Sequence, residues 1–182
     1  MTTINDLVLP VDNPVVIRQG FNSLFSHKVI EDEGGSRVDD SYSLDFVVDE
    51  GNAVYATRAG TVRQLDVSSN VHYFPKQGEK INPDLARYAA EHANYIIIEH
   101  DDGTCGLYIH LQQAGSFVEQ GQRVQQGQKI GLSGNTGFSS EPHLHFSVFR
   151  QHSEGFRRKT VAFSFKDYDG KLEDREINPQ LY

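Results

Sequence analysis

Apolar and polar residues alternate with a period of two over short stretches of this chain, and glycine- or aspartate-rich breaks separate the stretches. Residues 43–48 set Leu44 and Phe46 against Asp45 and Val47, and residues 15–17 form a β-branched run. Successive side chains of a strand point to opposite faces, so this alternation predicts strands with one buried side. Residues 54–57 and 61–65 flank a turn expected at Ala59-Gly60. Residues 95–99 carry three consecutive isoleucines, Asp101-Asp102-Gly103 supplies a turn, and residues 105–111 return. Asp-Gly between two apolar runs is a strong hairpin signal. Residues 161–165, followed by Asp167-Tyr168-Asp169-Gly170, predict a further hairpin over 160–175.

The spacing changes over residues 68–93. Leu85, Tyr88, Ala89 and His92 recur at helical intervals, with Asn82 placed to cap and Pro83 at the first helical position, where its missing N–H costs nothing. A short helical excursion beside the sheet is expected there. Residues 118–130 repeat with a period of six: Val118, Val124 and Ile130 are in phase, as are Gly121 with Gly127 and Gln122 with Gln128. Each unit reads as a strand fragment and a glycine turn, its apolar residue inward. The glycine-rich loop at 131–137 matches neither a dinucleotide fingerprint nor a phosphate loop, which leaves a tight connection into the next strand. The pattern as a whole predicts an all-β fold.

At 182 residues, with 37% hydrophobic and 23% charged positions, the chain is expected to form a single domain over 1–182. Its net charge of −8, with no basic run longer than Arg157-Arg158-Lys159, argues against nucleic acid as a partner. No stretch approaches the ~18 apolar residues of a membrane span. Residues 1–10 show no signal peptide. A single cysteine excludes an internal disulfide. Cys105 shares a strand face with Leu107 and Ile109, the setting of a small core side chain rather than a nucleophile.

The most informative segment is Pro142-His143-Leu144-His145-Phe146-Ser147-Val148. His143 and His145 share one strand face with Ser147, while Leu144, Phe146 and Val148 cover a core on the other. Two adjacent imidazoles on one face are unusual unless something binds them, and neutral imidazole is a favoured zinc ligand. By the same alternation Tyr108 and His110 share a face, opposite Leu107 and Ile109. Asp45 projects opposite Leu44 and Phe46, either into water or towards a cation.

These motifs carry a resemblance. Leu44-Asp45-Phe46, Ala59-Gly60-Thr61-Val62, Tyr108-x-His110-Leu111, the repeat at 118–130, Gly134-Asn135-Thr136-Gly137 and Pro142-His143-Leu144-His145-Phe146 resemble, in order and spacing, the lysostaphin/LytM-type metallopeptidases over about residues 15–150. The resemblance implies a mainly antiparallel sheet or sandwich of the duplicated-hybrid-motif type with a catalytic groove. It implies one Zn2+ held by His27, Asp45 and His145, and a catalytic pair of His110 and His143. It also implies a peptidoglycan peptide as substrate, a periplasmic or secreted location and a monomer. Many members place the first ligand four residues before the aspartate, where this chain has Ser41. Ser26-His27 resembles members that set it further upstream, here 18 positions from Asp45.

Three protein ligands leave a tetrahedral position open for water, and no His-Glu-x-x-His supplies a base, so His110 and His143 would divide the proton work. Which ring does which is open. The acidic residues Glu31, Asp32, Glu33, Asp39 and Asp40 either border the groove and attract a substrate amine or are simply solvated, the second reading being favoured. Two other readings stand beside the peptidase. One is a degenerate member acting as a cell-wall binding or activator protein. The other is a biotinyl, lipoyl or phosphate carrier module. Lys129 lacks the hairpin-tip setting a modified lysine needs, and Asp45 would repel a phosphate on a nearby histidine.

Overall fold

The alternating segments become strands in a computed structural model that describes residues 3–12, 16–23, 27–31, 37–153 and 156–172. The chain opens with β1 (Ile4–Leu7), β2 (Ile17–Gln19), β3 (Val29–Glu31), β4 (Arg37–Asp39), β5 (Ser43–Val47), β6 (Ala53–Tyr55), β7 (Gly60–Asp66) and β8 (His72–Tyr73). Helix α1 (Pro83–Glu91) follows, then β9 (Tyr95–Glu99), β10 (Cys105–Ile109), β11 (Leu111–Ser116), β12 (Arg123–Val124), β13 (Lys129–Ser133) and β14 (Gly137–Phe138). The chain continues with β15 (His143–Ser153), β16 (Phe156–Thr160) and β17 (Phe163–Phe165).

The fold is all-β and mainly antiparallel, with one short helix among the described residues. A ten-stranded sheet runs β12-β7-β9-β10-β15-β16-β4-β3, with β5 also paired to β15 and β2 to β5. Strand β15 is its spine. One edge pairs with β10 in the register Ile109↔His145 and Tyr108↔Phe146. The other edge pairs with β5, His145 opposite Asp45, and further along with β16. A three-stranded sheet β11-β13-β6 lies apart from it.

Both faces of the β10–β15 region are covered. Leu44, Phe46, Ile96, Ile98, Tyr108, Leu144, Phe146 and Val148 are buried in the main core. On the opposite face Cys105, Leu107 and Phe149 form a smaller cluster with Ile97 and Ile109 against it, so Cys105 is a core residue. Burying one aromatic side chain of this size contributes roughly 1.5–3 kcal/mol. Phe146 touches Tyr108, Phe163 and Phe165, which concentrates that contribution on the spine.

Several elements are those the spacing predicts. Strands β9 and β10 form the hairpin around Gly103, whose φ of +75° suits glycine. Asn82 caps α1 through hydrogen bonds accepted from Asp84 and Leu85, with Pro83 at the helix start. Of the four residues at helical spacing only Ala89 is buried; Leu85 and Tyr88 are about half exposed. In the six-residue repeat Val118, Val124 and Ile130 are buried. Its two turns are chemically identical: the Gln122 and Gln128 side chains accept from Glu119 N–H and Gln125 N–H at 3.0 Å.

Other pairings are set by tertiary contacts that the spacing does not state. Strands β6 and β7 flank Ala59-Gly60 without pairing to each other; β6 joins β13 and β7 joins β9 and β12. Strand β17 pairs in parallel with β1. Residues 173–175, the return of the hairpin expected over 160–175, lie outside the described residues, as does Val15.

Candidate metal and catalytic site

The five residues singled out from the sequence converge at one end of the spine. Asp45 on β5 lies directly opposite His145 on β15, and the carboxylate Oδ1 is 2.9 Å from His145 Nδ1. His27 follows β2 by a short connection, and its Nε2 lies 3.3 Å from the same oxygen. One donor atom from each of His27, Asp45 and His145 falls within 4.8 Å of the other two. His143 Nε2 stands 3.8 Å from Asp45 Oδ1. The rings of His110 and His143 have centroids 4.4 Å apart.

His110 reaches this cluster by a route that alternation does not give. Tyr108 pairs with Phe146 on the core face, fully buried, and its hydroxyl bonds Thr57. It therefore does not share a face with the site histidines, and strict alternation would send His110 after it. Instead His110 adopts a left-handed conformation, φ +66°, at the break between β10 and β11. The turn carries its ring to His143. A non-glycine residue there costs roughly 1–3 kcal/mol and persists only where the surroundings dictate it. Here Leu111 is held on both sides: its carbonyl accepts from Asn94 Nδ2 and Thr136 Oγ1, and its N–H donates to the Asn94 carbonyl.

Three of the rings are oriented by a hydrogen bond from their other nitrogen. His27 Nδ1–H donates to the Gly20 carbonyl at 2.8 Å, His110 Nδ1–H to Thr136 at 2.6 Å, and His143 Nδ1–H to Glu141 at 2.8 Å. Such partners fix the tautomer and leave Nε2 bare. For His27 that bare nitrogen faces a carboxylate oxygen, two acceptors turned towards each other. This arrangement requires a proton or a cation between them.

The electrostatics agree. Burial raises the Asp45 pKa, but hydrogen bonds from His145 and His27 and the charges of His143 and His145 outweigh it and hold the carboxyl well below its ordinary range. Burial lowers that of His27, yet Asp45 leaves it raised overall. His110 is lowered to about 3, by burial first and then by the neighbouring His143 and His145. It is neutral at neutral pH.

Sequence reasoning missed Asn94, Gly20 and Ser139, whose hydroxyl lies 3.1 Å from His143 Nδ1. Nothing in their local pattern marks them, whereas Thr136 at least stood within a recognised motif. The acidic set also reads differently in the structure. Asp39 and Asp40 are buried, Asp39 accepting from Ser41 N–H and Asp40 pairing with Arg158, so neither is solvated. Glu31 is exposed on β3, and Asp32 and Glu33 lie outside the described residues. Ser26 does too. His72 and His92 stand apart on the excursion, where His72 bonds the Ser139 carbonyl.

Imidazoles and a carboxylate turned on one point are the equipment of metal-assisted hydrolysis. The chain belongs to Peptidase family M23, a zinc-dependent family, whose profile matches residues 39–156; His27 lies upstream of that match. Peptidoglycan DD-endopeptidase ShyA of Vibrio cholerae is 32% identical over 139 residues, 76% of this chain and 26% of the relative. A zinc-containing peptidase from Vibrio cholerae superposes with a TM-score of 0.54 at 28% identity, covering 86% of this chain and 38% of that one. The catalytic domain of lysostaphin from Staphylococcus simulans shares the fold, with a TM-score of 0.53 at 24% identity over 81% of this chain and 90% of that one. The chain thus spans about a quarter of the length of the curated relative named here.

Proposed function

We propose that this chain is a zinc metalloendopeptidase that hydrolyses peptide bonds in peptidoglycan cross-links or stem peptides. The observation that carries the reading is the convergence of His27, Asp45 and His145, one donor atom from each within 4.8 Å of the others, with His27 Nε2 3.3 Å and His145 Nδ1 2.9 Å from Asp45 Oδ1, beside the His110–His143 pair. The donor set fits the ion: two imidazole nitrogens and one carboxylate oxygen, all buried, with His27 already in the tautomer a ligand needs. A zinc ion held by these three would bring the pKa of a bound water towards ~7 and polarise the scissile carbonyl.

The remaining work falls to the second pair. His110, whose Nδ1–H is given to Thr136, would take the proton of the attacking water on Nε2 and return it to the leaving amine. His143 is the partner ring: with its Nδ1–H given to Glu141, a second proton carried on Nε2 would let it donate to the carbonyl oxygen as that oxygen gains charge. All five residues come from one chain, so the reading needs no second subunit. A peptidoglycan substrate puts the place of action in the periplasm or outside the cell. Among the described residues no helix is long and apolar enough to cross a membrane.

The test is mass analysis of cross-linked muropeptides digested by wild type and by His27→Ala, together with the zinc content of both. About one zinc per wild-type chain, new peptide ends from wild type and none from His27→Ala are expected. Equal digestion by both proteins would show that another residue completes the site. Zinc without digestion would favour the degenerate, cell-wall-binding reading.

A further inference from the structure

Four histidine rings meet at the site, and three turn their outer nitrogen to a main-chain carbonyl. His145 is the exception. Its Nδ1 faces Asp45, while its Nε2 is buried and makes no hydrogen bond. Asp40 Oδ2 stands 3.5 Å from that nitrogen, just beyond a good hydrogen bond. The residue is 92% buried, since only 8% of its surface is exposed, and an unmet donor or acceptor there is costly.

Asp40 is itself held. Its Oδ1 takes a hydrogen bond from Arg158 on β16 at 3.2 Å, and its N–H donates to the carbonyl of Lys28, the residue after His27. Arg158 in turn lies over the Phe149 ring at 5.7 Å. Strands β3 and β4, which fill the long interval between His27 and Asp45, thus end on a carboxylate delivered to the back of His145.

Resting on the zinc reading above, we propose that Asp40 is the positioning residue of the metal site: it accepts the Nε2 proton of His145, so that Nδ1 presents its lone pair beside Asp45. A ring whose Nδ1 is a ligand must carry its proton on Nε2, and that proton then needs an acceptor. A carboxylate makes the ligand nitrogen more basic than a carbonyl would. Arg158 keeps Asp40 aimed. The residue that follows β4 is accordingly part of the site.

The experiment is titration of the metal-free full chain with zinc against a competing chelator, for wild type, Asp40→Ala, Asp40→Asn and Arg158→Ala, with the melting temperature of each metal-free protein measured alongside. Asp40→Ala is expected to weaken zinc binding by about 10- to 100-fold. Asp40→Asn, which keeps an acceptor oxygen, should lose less. Nitrogen chemical shifts of the His145 ring in zinc-loaded wild type provide a readout that needs no variant, and should place the proton on Nε2. A proton on Nδ1 overturns the proposal. So does an Asp40→Ala affinity within twofold of wild type. So does equal loss in Asp40→Ala and Arg158→Ala that tracks their melting temperatures, which would mark a merely structural ion pair. A wild-type chain that binds no zinc overturns the functional reading and this proposal with it, and is distinguishable from failure of Asp40 alone.

Discussion

His100 is the titratable side chain whose burial has the plainest consequence away from the site. Its Nδ1 pairs with Thr104 Oγ1 at 2.9 Å, and its Nε2 is buried without a partner. Burial, and then the charge of Arg58, lower its pKa from 6.5 to about 4. The unfolded chain therefore takes up a proton near pH 6.5 that the folded ring refuses until about pH 4. The stability this contributes is fully present above pH 6.5 and disappears as pH falls through that window. Urea unfolding of wild type and His100→Phe between pH 7 and pH 4 checks it. The variant is expected to show the shallower acid limb, with the residual slope belonging to other groups, His110 among them. Parallel limbs would mean that the ring is accessible to protons in the folded state.

Among the elements, the 137–138 strand sits at a tight junction. Gly137 has a φ of +91°, and a Cβ added there would lie 2.5 Å from Ala93 Cβ and 3.3 Å from His110 Nδ1. Gly137→Ala is expected to lose about 1–3 kcal/mol of stability. It should also lower muropeptide hydrolysis by more than the unfolded fraction explains, because the His110 ring must yield. Denaturation midpoints and kcat measured where both proteins are folded decide this. Unchanged kcat would detach the junction from the site. Elements whose cause is local were legible in the sequence: the β9–β10 hairpin with its Asp-Gly turn, the Asn82-Pro83 helix start and the six-residue repeat. The strand carrying His143 and His145 was legible for the same reason, since alternation states which face each residue takes. The position of His110 was not, because one left-handed residue reverses the alternation, and the hydrogen bonds that impose it come from Asn94 and Thr136, distant in sequence. The pairing of β17 with β1 and of β6 with β13 is likewise tertiary. Asp40 looked like one of a run of solvated acids until Arg158, 118 positions away, was brought beside it.

For the molecule as a whole, the three proposed ligands tie together parts of very unequal support. His145 and Asp45 lie on paired strands, β15 flanked on both edges, whereas His27 is joined to the sheet through the three-residue strands β2 and β3. A ligand that binds only the folded chain stabilises it, by ~2.7 kcal/mol at a hundredfold excess over Kd. Zinc is therefore expected to raise the melting temperature of metal-free wild type in scanning calorimetry and to leave that of His27→Ala nearly unchanged. Equal shifts in both would place the ion elsewhere.

The left-to-right inequality of that support has a kinetic side. Short, lightly paired segments open far more often than a central strand does. A cation gripped from both would escape when the His27 arm swings away, long before the spine loosens. Its residence time would then be governed by the opening of β2 and β3, and a clamp on these two strands would trap the ion without touching any atom that binds it.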